Sequence, residues 1–310
     1  MYVLSYFTLG DESLHLATSV DGVTFVPLND GLSVVASHVG NHSIRDPFIG
    51  QSMDGTYHLL GTDGWRSPNI VHATSTDLIT WTEPTLLPVM ADVPGTVNCW
   101  APEFFYDDAT DQYHIIWSSV VDPSIVDASG EWVDLDMDHS IWTCATSDFQ
   151  SLSAPRVFFN PGYSVIDATV ARDGGHYLMA YKDERGSNEL GGAHKNIHLA
   201  RFDHVTGPFH SNYGPVSISP VEGPSLFKRD GQWILIFDRF LEGSYGAVSS
   251  TDGRIWQPAT INLPQGMRHG SVFMQRDSHE FRDLALQRES IEPQSRPRVA
   301  EAPPQKETTK

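Results

Sequence analysis

The segment Pro102-Glu-Phe-Phe-Tyr-Asp-Asp-Ala-Thr-Asp-Gln-Tyr-His-Ile-Ile-Trp-Ser118 contains the pattern on which the fold prediction rests. Two short apolar runs, residues 102–106 and 112–118, flank a turn that is rich in aspartate. Apolar runs of this length, separated by a short turn containing Asp or Gly, predict a β-hairpin. Similar hairpins recur at residues 47–62, 168–181 and 224–237. The chain therefore repeats one unit of antiparallel strands.

A second recurring phrase consists of small or polar residues that end in aspartate. Its copies are Ala17-Thr-Ser-Val-Asp21, Ala73-Thr-Ser-Thr-Asp77, Ala145-Thr-Ser-Asp148, Ala200-Arg-Phe-Asp203 and Val248-Ser-Ser-Thr-Asp252. The copies begin 48 to 72 residues apart. A repeat of about this length, with four strands in each unit, is typical of propeller blades. We therefore predict an all-β, five-bladed β-propeller in which these aspartates have structural roles in turns.

The two ends of the chain complement each other. Residues 2–8 and 14–21 are typical of second and third strands that lack a first strand, whereas residues 269–275 are typical of a first strand alone. If the N-terminal strands pair with the C-terminal strand, they complete a fifth blade and close the ring without an open sheet edge. We predict one catalytic propeller domain over residues 1–286. Residues 287–310, rich in Pro, Gln, Glu and Lys, are predicted to form a disordered tail.

Composition excludes several classes of partner. The formal net charge is −19, which argues against nucleic acid, because phosphate-binding surfaces need clustered Lys and Arg. No apolar run approaches the length of a membrane span, and the N-terminus lacks the pattern of a signal peptide. The two cysteines, Cys99 and Cys144, cannot form a disulfide framework and are expected to be buried apolar residues. We expect a cytoplasmic location, or secretion if a signal peptide has been trimmed.

Charged residues recur where the first strand of each predicted blade begins. They are Asp46, Glu103, Asp167, Glu222 and His269. First strands line the central channel of a propeller, so we expect these side chains to converge. Loops 62–69, 118–140, 182–196 and 238–245 are predicted to emerge on the same face, and loop 118–140 to form a wall. These loops would bring Trp65, Arg66, Trp132, Lys182, Asp183 and Arg239 to a polar pocket.

Clustered carboxylates are suited to the hydrolysis of an acetal. One carboxylic acid protonates the leaving oxygen while one carboxylate activates water. Because like charges repel, at least one member of such a cluster stays protonated near neutral pH. The alternative is that these residues cap turns, since Asp before Pro commonly starts a turn.

Four motifs together resemble glycoside hydrolase family 43. They are Ile44-Arg-Asp-Pro-Phe-Ile49, Trp100-Ala-Pro-Glu103, Val165-Ile-Asp-Ala168 and Val221-Glu-Gly-Pro224, and Arg268-His-Gly-Ser271 is similar to the fifth-blade segment of that family. The resemblance implies a five-bladed propeller that hydrolyses α-L-arabinofuranosides or β-D-xylosides with inversion. It implies Asp46 as general base, Glu222 as general acid and Asp167 as the residue that orients the acid. In that family the residue matching Glu103 mostly secures the blade.

Further residues are candidates for binding substrate or an ion. Trp100 and Trp65 are expected to stack on sugar rings, with core packing as the alternative for Trp100. Arg239 and Arg268 are expected to contact substrate hydroxyls, unless Arg268 instead pairs with a channel carboxylate. The resemblance implies no required cofactor, but makes His269 a candidate ligand for a structural Ca²⁺ or Na⁺ in the channel, directly or through its waters.

Substrate class and mechanism each leave alternatives. The expected partner is an oligosaccharide or polysaccharide, and no nucleic acid or membrane partner is expected. The loop lengths favour exo cleavage of this substrate. A retaining fructan or sucrose hydrolase of a related five-bladed family is one alternative, although its Asn-Asp-Pro and Glu-Cys motifs are absent. A sugar-binding propeller without catalysis is the other, although all three acids are present.

Overall fold

The computed structural model describes residues 1–122, 138–211 and 214–275, and within these ranges β-strands form five antiparallel sheets. Blade 5 comprises β1 (Tyr2–Thr8), β2 (Asp11–Ser19), β3 (Val26–Pro27) and the last strand, β19 (Met267–Met274). Blade 1 comprises β4 (Arg45–Gln51), β5 (Tyr57–Thr62), β6 (Ile70–Ser75) and β7 (Thr85–Leu87). Blade 2 comprises β8 (Trp100–Asp107), β9 (Gln112–Ser119), β10 (Ser140–Thr146) and β11 (Arg156–Phe159). Blade 3 comprises β12 (Val165–Asp173), β13 (His176–Asp183) and β14 (Ile197–Phe202). Blade 4 comprises β15 (Glu222–Arg229), β16 (Gln232–Arg239), β17 (Ser244–Ser250) and β18 (Gln257–Pro258).

The sheet order confirms the predicted five-bladed propeller and the closure of its ring. Strand β1 pairs with β19 from Tyr2 opposite Met274 to Thr8 opposite Met267. Buried apolar side chains then fill the spaces between neighbouring blades, with one cluster between blades 5 and 1 and another between blades 4 and 5. A single short 3₁₀ turn, Asn29–Gly31, is the helical structure found in the described ranges. No helix in these ranges has the length and apolar character needed to cross a bilayer.

Blade 3 departs from the predicted four strands. Within the described residues its sheet has three strands, and isolated bridges join His198 to Pro215 and Arg201 to His210 where an outer strand would lie. Proline cannot donate a backbone hydrogen bond to a ladder. The segment after β14 contains Pro208, Pro215 and Pro220, and its pairing with β14 is limited to these single bridges within the described residues.

The recurring aspartates have the structural role that the sequence predicts. Each of four carboxylates accepts backbone N–H groups from residues two and three positions later, at 2.7–2.9 Å, and a Ser or Thr hydroxyl from two positions earlier. These four are Asp21, Asp77, Asp148 and Asp252. Asp203, in the degenerate copy, instead pairs with His176 at 2.5 Å. The phrase is therefore an Asx turn that connects outer strands.

The innermost strand of each blade contains the same irregularity. In β4, β8, β12, β15 and β19 the pairing register shifts by a bulge near the start of the strand. One residue in each bulge has a positive φ angle: Asp46 (48°), Ala101 (47°), Asp167 (56°), Gly223 (53°) and His269 (30°). Bulges redirect side chains, and here five of them surround the central channel.

Candidate active site

The bulges place the predicted strand-start residues at three different depths. Asp46, Asp167 and His269 occupy the bulge position itself, and they line both a large pocket and a small cavity beneath it. Glu222 precedes its bulge residue by one position and lines only the upper pocket. Glu103 follows its bulge residue by two positions and lines only the cavity beneath. Four of the five therefore line the upper pocket, whereas Glu103 meets Asp46, Asp167 and His269 in the cavity beneath it.

Glycine is required at the bulge of blade 4. Gly223 has a φ of +53°, and a Cβ at this position would lie 2.8 Å from Cγ of His269. A contact this short is not tolerated between carbon atoms, so this bulge cannot carry a side chain. The carboxylate of blade 4 is consequently supplied from the preceding position, by Glu222.

The upper pocket has a volume of about 750 Å³. The predicted site residues that line it are Asp46, Asp167, Glu222, Trp65, Trp100 and His269. Arg239 and Arg268 are not among the described residues that line it: Arg239 pairs with Glu242, and Arg268 lies behind Glu222. Residues 123–137, which include Trp132 and most of the predicted wall loop, lie outside the described ranges.

Asp46 is held as an ionised carboxylate. Thr62 Oγ1 donates a hydrogen bond to its Oδ2 at 2.7 Å, and His269 Nδ1 lies 3.2 Å from its Oδ1. Burial opposes ionisation, but the charge and hydrogen bond of His269, with Arg45 and Thr62, lower the pKa of Asp46 to about 2. A carboxylate that stays ionised and can accept a proton suits a general base.

His269 is the cation that holds Asp46 in this state. Burial alone would lower its pKa, but the charges of Asp46 and Asp167 raise the pKa of His269 to about 10. The cavity beneath it has room for about one water molecule. In the described ranges no three His, Cys, Asp or Glu side chains form a set that could hold a metal by themselves. A Ca²⁺ or Na⁺ held by His269, directly or through its waters, stays a prediction.

The Asp46–His269 pair predicts a pH-dependent contribution to stability. The pKa of His269 is above its ordinary 6.5, so its contribution is complete below pH 6.5 and is lost as pH rises through about 10. The pKa of Asp46 is below its ordinary 3.8, so its contribution is complete above pH 3.8 and is lost as pH falls through about 2. We expect His269→Asn, which tolerates a positive φ, to lower the melting temperature most between about pH 4 and 6.5. Melting curves of both proteins from about pH 4 to 10 test this, and a difference that does not shrink toward pH 10 would contradict it.

Asp167 connects the bulges of blades 3 and 4. Its Oδ2 accepts the Gly223 backbone N–H at 3.1 Å, and its own N–H donates to Ser118 Oγ at 3.0 Å. Burial raises the pKa of Asp167 to about 6, despite the nearby positive charges of His269 and Lys182. Because Gly223 directly follows Glu222, this hydrogen bond fixes the backbone from which Glu222 projects.

Glu222 lies between two cations. Lys182 Nζ donates a hydrogen bond to its Oε2 at 3.3 Å, and Arg268 Nη2 donates to its Oε1 at 3.2 Å. The structure thus places Arg268 behind a channel carboxylate, the alternative that the sequence left open for this residue. Arg268 also donates from Nε to Asp238 Oδ2 at 2.7 Å.

Two tryptophans form an aromatic side of the pocket. Their rings meet edge to face at 5.7 Å, and Trp100 Nε1 donates to the Trp65 carbonyl at 3.0 Å. Trp65 is 60% exposed, and the Arg45 guanidinium lies 4.5 Å from the centroid of its ring. Arg45 is itself paired with Glu12. An exposed, supported aromatic plane of this kind suits the C–H face of a sugar.

Sequence reasoning missed the side chains that loop 182–196 brings to the pocket. Glu184, Arg185 and Lys195 line it, together with the predicted Lys182. Asp183 is not one of the described residues that line the pocket, because its side chain is buried. It accepts two hydrogen bonds from the Arg185 guanidinium, which lies over the Tyr163 ring. The sequence indicated that this loop reaches the pocket. It could not show which of the loop's side chains face the pocket, because that depends on how the loop is held by the neighbouring strands.

Comparisons with known proteins agree with this geometry. The family model described as "Probable glycosyl hydrolase domain", related to glycosyl hydrolase family 43, matches residues 1–278. An alpha-L-arabinofuranosidase of Bifidobacterium longum subsp. longum is 27% identical over 282 residues, covering 76% of this chain and 26% of the relative. A probable arabinan endo-1,5-alpha-L-arabinosidase A of Aspergillus clavatus is 27% identical over 237 residues, covering 72% of this chain and 67% of the relative.

A solved structure supports the fold independently. A thermostable family-43 glycoside hydrolase superposes with a TM-score of 0.56 at 16% identity, covering 76% of this chain and 80% of that structure. At this identity the likeness concerns the fold alone. The chain spans about a quarter of the length of the Bifidobacterium relative. Because the family model extends over most of the chain, the protein belongs to the family of probable glycosyl hydrolase domains related to glycosyl hydrolase family 43.

Proposed function

We propose that this protein is an inverting glycoside hydrolase that releases terminal α-L-arabinofuranosyl residues from plant-type polysaccharides or oligosaccharides. The observation that carries the proposal is the pair of carboxylates, Asp46 and Glu222, that line one pocket from different blades in different electrostatic surroundings. Asp46 is held ionised by His269, whereas Glu222 is positioned above the bulge, next to the space where substrate would bind. Hydrolysis of an acetal with inversion needs one base and one acid that are held apart.

The proposed reaction balances as a single displacement. Asp46 accepts a proton from water, and the water oxygen forms a bond to the anomeric carbon. The bond from this carbon to the glycosidic oxygen breaks, and that oxygen receives the proton of Glu222. Asp46 ends protonated and Glu222 ionised, and exchange with solvent restores both. In an inverting enzyme the two carboxyl groups are ~6.5–9.5 Å apart, which leaves room for the water.

The substrate class is proposed from the relatives and from the form of the pocket. Both curated relatives are named for arabinose-containing substrates, one as an arabinofuranosidase and the other as an endo-acting arabinanase. In this chain, the Trp65–Trp100 pair bounds the pocket on one side and loop 182–196 on the other. Such a bounded pocket favours the removal of a terminal sugar over internal cleavage. A β-D-xylosyl residue is the second candidate sugar.

A panel of 4-nitrophenyl glycosides, followed by anomer-resolved NMR, tests the proposal. We expect turnover of the α-L-arabinofuranoside to exceed that of the β-D-xyloside, and the first sugar formed to have the inverted configuration. A product of retained configuration would favour the retaining alternative. Binding of arabino-oligosaccharides without turnover of any glycoside would favour the sugar-binding alternative. Release of oligomers from linear arabinan, without monomer, would contradict exo action.

A further inference from the structure

Six side chains of alternating charge form a continuous chain through the wall of the pocket. In order they are Lys195, Glu184, Lys182, Glu222, Arg268 and Asp238. The successive N–O distances are 2.5, 2.7, 3.3, 3.2 and 2.7 Å. Glu222, the proposed general acid, lies in the interior of this chain, and each of its oxygens faces a cation.

The chain is partly buried, with its most buried members on either side of Glu222, which is itself 27% exposed, and this burial strengthens its electrostatic interactions. The side chains of Lys182 and Asp238 are 2% and 1% exposed, and that of Glu184 is 23% exposed. The amine of Lys182 also lies 5.2 Å from the centroid of the Phe240 ring. Removing one charge from such surroundings changes the potential at its neighbours far more than it would in water.

A general acid must keep its proton until the leaving oxygen takes it, but two adjacent cations favour the ionised carboxylate. Each of these cations has a second partner that is closer than Glu222. Lys182 is 2.7 Å from Glu184 and 3.3 Å from Glu222, and Arg268 is 2.7 Å from Asp238 and 3.2 Å from Glu222. The outer carboxylates therefore offset the positive charge that Glu222 experiences.

We propose that Glu184 is a positioning residue: anchored by Lys195, it balances the charge of Lys182 and so allows Glu222 to retain the proton that it donates. Lys182 in turn orients the Glu222 carboxyl group through its hydrogen bond. The inference rests on the proposed function, because it assigns Glu184 a role in that reaction. Glu184 itself acts through Lys182 and has no direct part in the displacement.

Other charged or titratable groups also act on Glu222 and stay unchanged in Glu184→Gln. Those contributed by the surrounding strands are Lys182, Asp167, Asp238, Tyr245, Arg268 and His269. Glu184 differs from Lys182 and Arg268 because its ion pairs in the described residues are with Lys182 and Lys195 and not with Glu222. Replacing Glu184 therefore alters the charge balance without removing a direct neighbour of Glu222.

We expect Glu184→Gln, which preserves size, to move the alkaline limb of the kcat profile to lower pH by roughly one to two pH units. Lys182→Met should move the same limb to higher pH, because it removes a cation that contacts Glu222. Shifts of the limb in opposite directions in the two variants separate this role from a loss of packing, which would lower activity at every pH. If Glu184→Gln fails to fold, Glu184→Ala, which removes the same charge, is the second variant and should move the limb in the same direction.

Asp173→Asn is the matched control. Asp173 also bridges two cations, Arg201 at 2.9 Å and Lys228 at 3.2 Å, and its 25% exposure is close to that of Glu184. It lies at the other end of β12, away from the pocket, so we expect its removal to leave the pH profile unchanged. An equal shift in Asp173→Asn would mean that net charge alone moves the profile, and would overturn the inference.

A titration that needs no turnover separates this inference from the proposed function. In protein labelled with [5-¹³C]glutamate, the Glu222 resonance is identified by its loss in Glu222→Gln. We expect this resonance to titrate at lower pH in Glu184→Gln and at higher pH in Lys182→Met. An unchanged titration in both variants would overturn the inference even if the enzyme is active. If no glycoside is hydrolysed, the proposed function fails and the titration still decides the electrostatic role of Glu184.

Discussion

Replacing Asp46 with asparagine should reduce hydrolysis by ~10²–10⁴ or more on every substrate, whatever its leaving group. Activation of water is needed in each turnover, and an amide cannot accept the proton. Asparagine is nearly isosteric, tolerates the positive φ of this position and can still accept the Thr62 hydroxyl, so the bulge should keep its backbone conformation. Loss of the ion pair with His269 should nevertheless lower the melting temperature. The measurement is kcat/KM on aryl and alkyl arabinofuranosides, with a melting curve to show that the variant is folded.

Azide distinguishes a base from a nucleophile at this position. As a small anion, azide can take the place of the water in Asp46→Asn and needs no deprotonation. We expect it to restore turnover of an activated aryl glycoside and to yield a glycosyl azide of inverted configuration. A covalent sugar trapped on Asp46 of the unmodified protein would instead establish retention.

Glu222→Gln provides the contrast that assigns the two carboxyl groups. Loss of the acid should cost ~10²–10⁴ with a poor leaving group, because that oxygen needs a proton as the bond breaks. A 4-nitrophenolate leaves without this help and should be affected much less. Equal losses on both kinds of substrate would contradict the assignment of Glu222 as acid.

Deleting residues 1–28 should prevent the formation of a soluble, folded protein. These residues supply three strands of blade 5, and their buried side chains pack on both neighbouring blades. Val3, Leu14 and Leu16 lie in the cluster shared with blade 1, whereas Tyr2 and Leu4 lie in the cluster shared with blade 4. A fully buried large apolar side chain contributes ~1.5–3 kcal/mol. The loss of so many exceeds the ~5–15 kcal/mol stability of a typical domain.

The deletion also leaves β19 unpaired and exposes sheet edges that favour aggregation. Soluble yield and melting temperature are the measurements. Deletion of residues 288–310, which lie outside the described ranges and belong to the predicted tail, is the control and should change neither. A soluble 29–310 fragment that melts cooperatively would contradict the dependence of the ring on its N-terminal strands.

The architecture of the ring could be predicted from sequence because its signals are local and repeated. A hairpin needs only two apolar runs and a turn residue, and an Asx turn needs only an aspartate at the right position. The same phrase therefore predicted the turns at Asp21, Asp77, Asp148 and Asp252. The complementary ends predicted closure for the same reason, since the lone first strand at one end and the second and third strands at the other are recognisable separately.

The arrangement of the pocket was decided by the tertiary structure. One extra residue in a bulge reverses which side chains face the channel, and no periodicity in the sequence signals where it falls. The bulges place Glu222 in the pocket and Glu103 beneath it, although the sequence pattern puts both at the starts of first strands. In the described residues of blade 3, single bridges take the place of the fourth strand that the repeat predicts.

The charge states depend on contacts between residues that are distant in the chain. The sequence motifs, through their resemblance to family 43, predict Asp46, Asp167 and Glu222 as the acids, because residue type and position in a blade are local information; their catalytic roles stay a prediction. The sequence could not show that His269 from the last strand would hold Asp46 ionised, or that Lys182, Glu184 and Lys195 would adjoin Glu222. Proton affinity is set by burial and by neighbouring charge, and both arise only when the closed ring brings separate blades together.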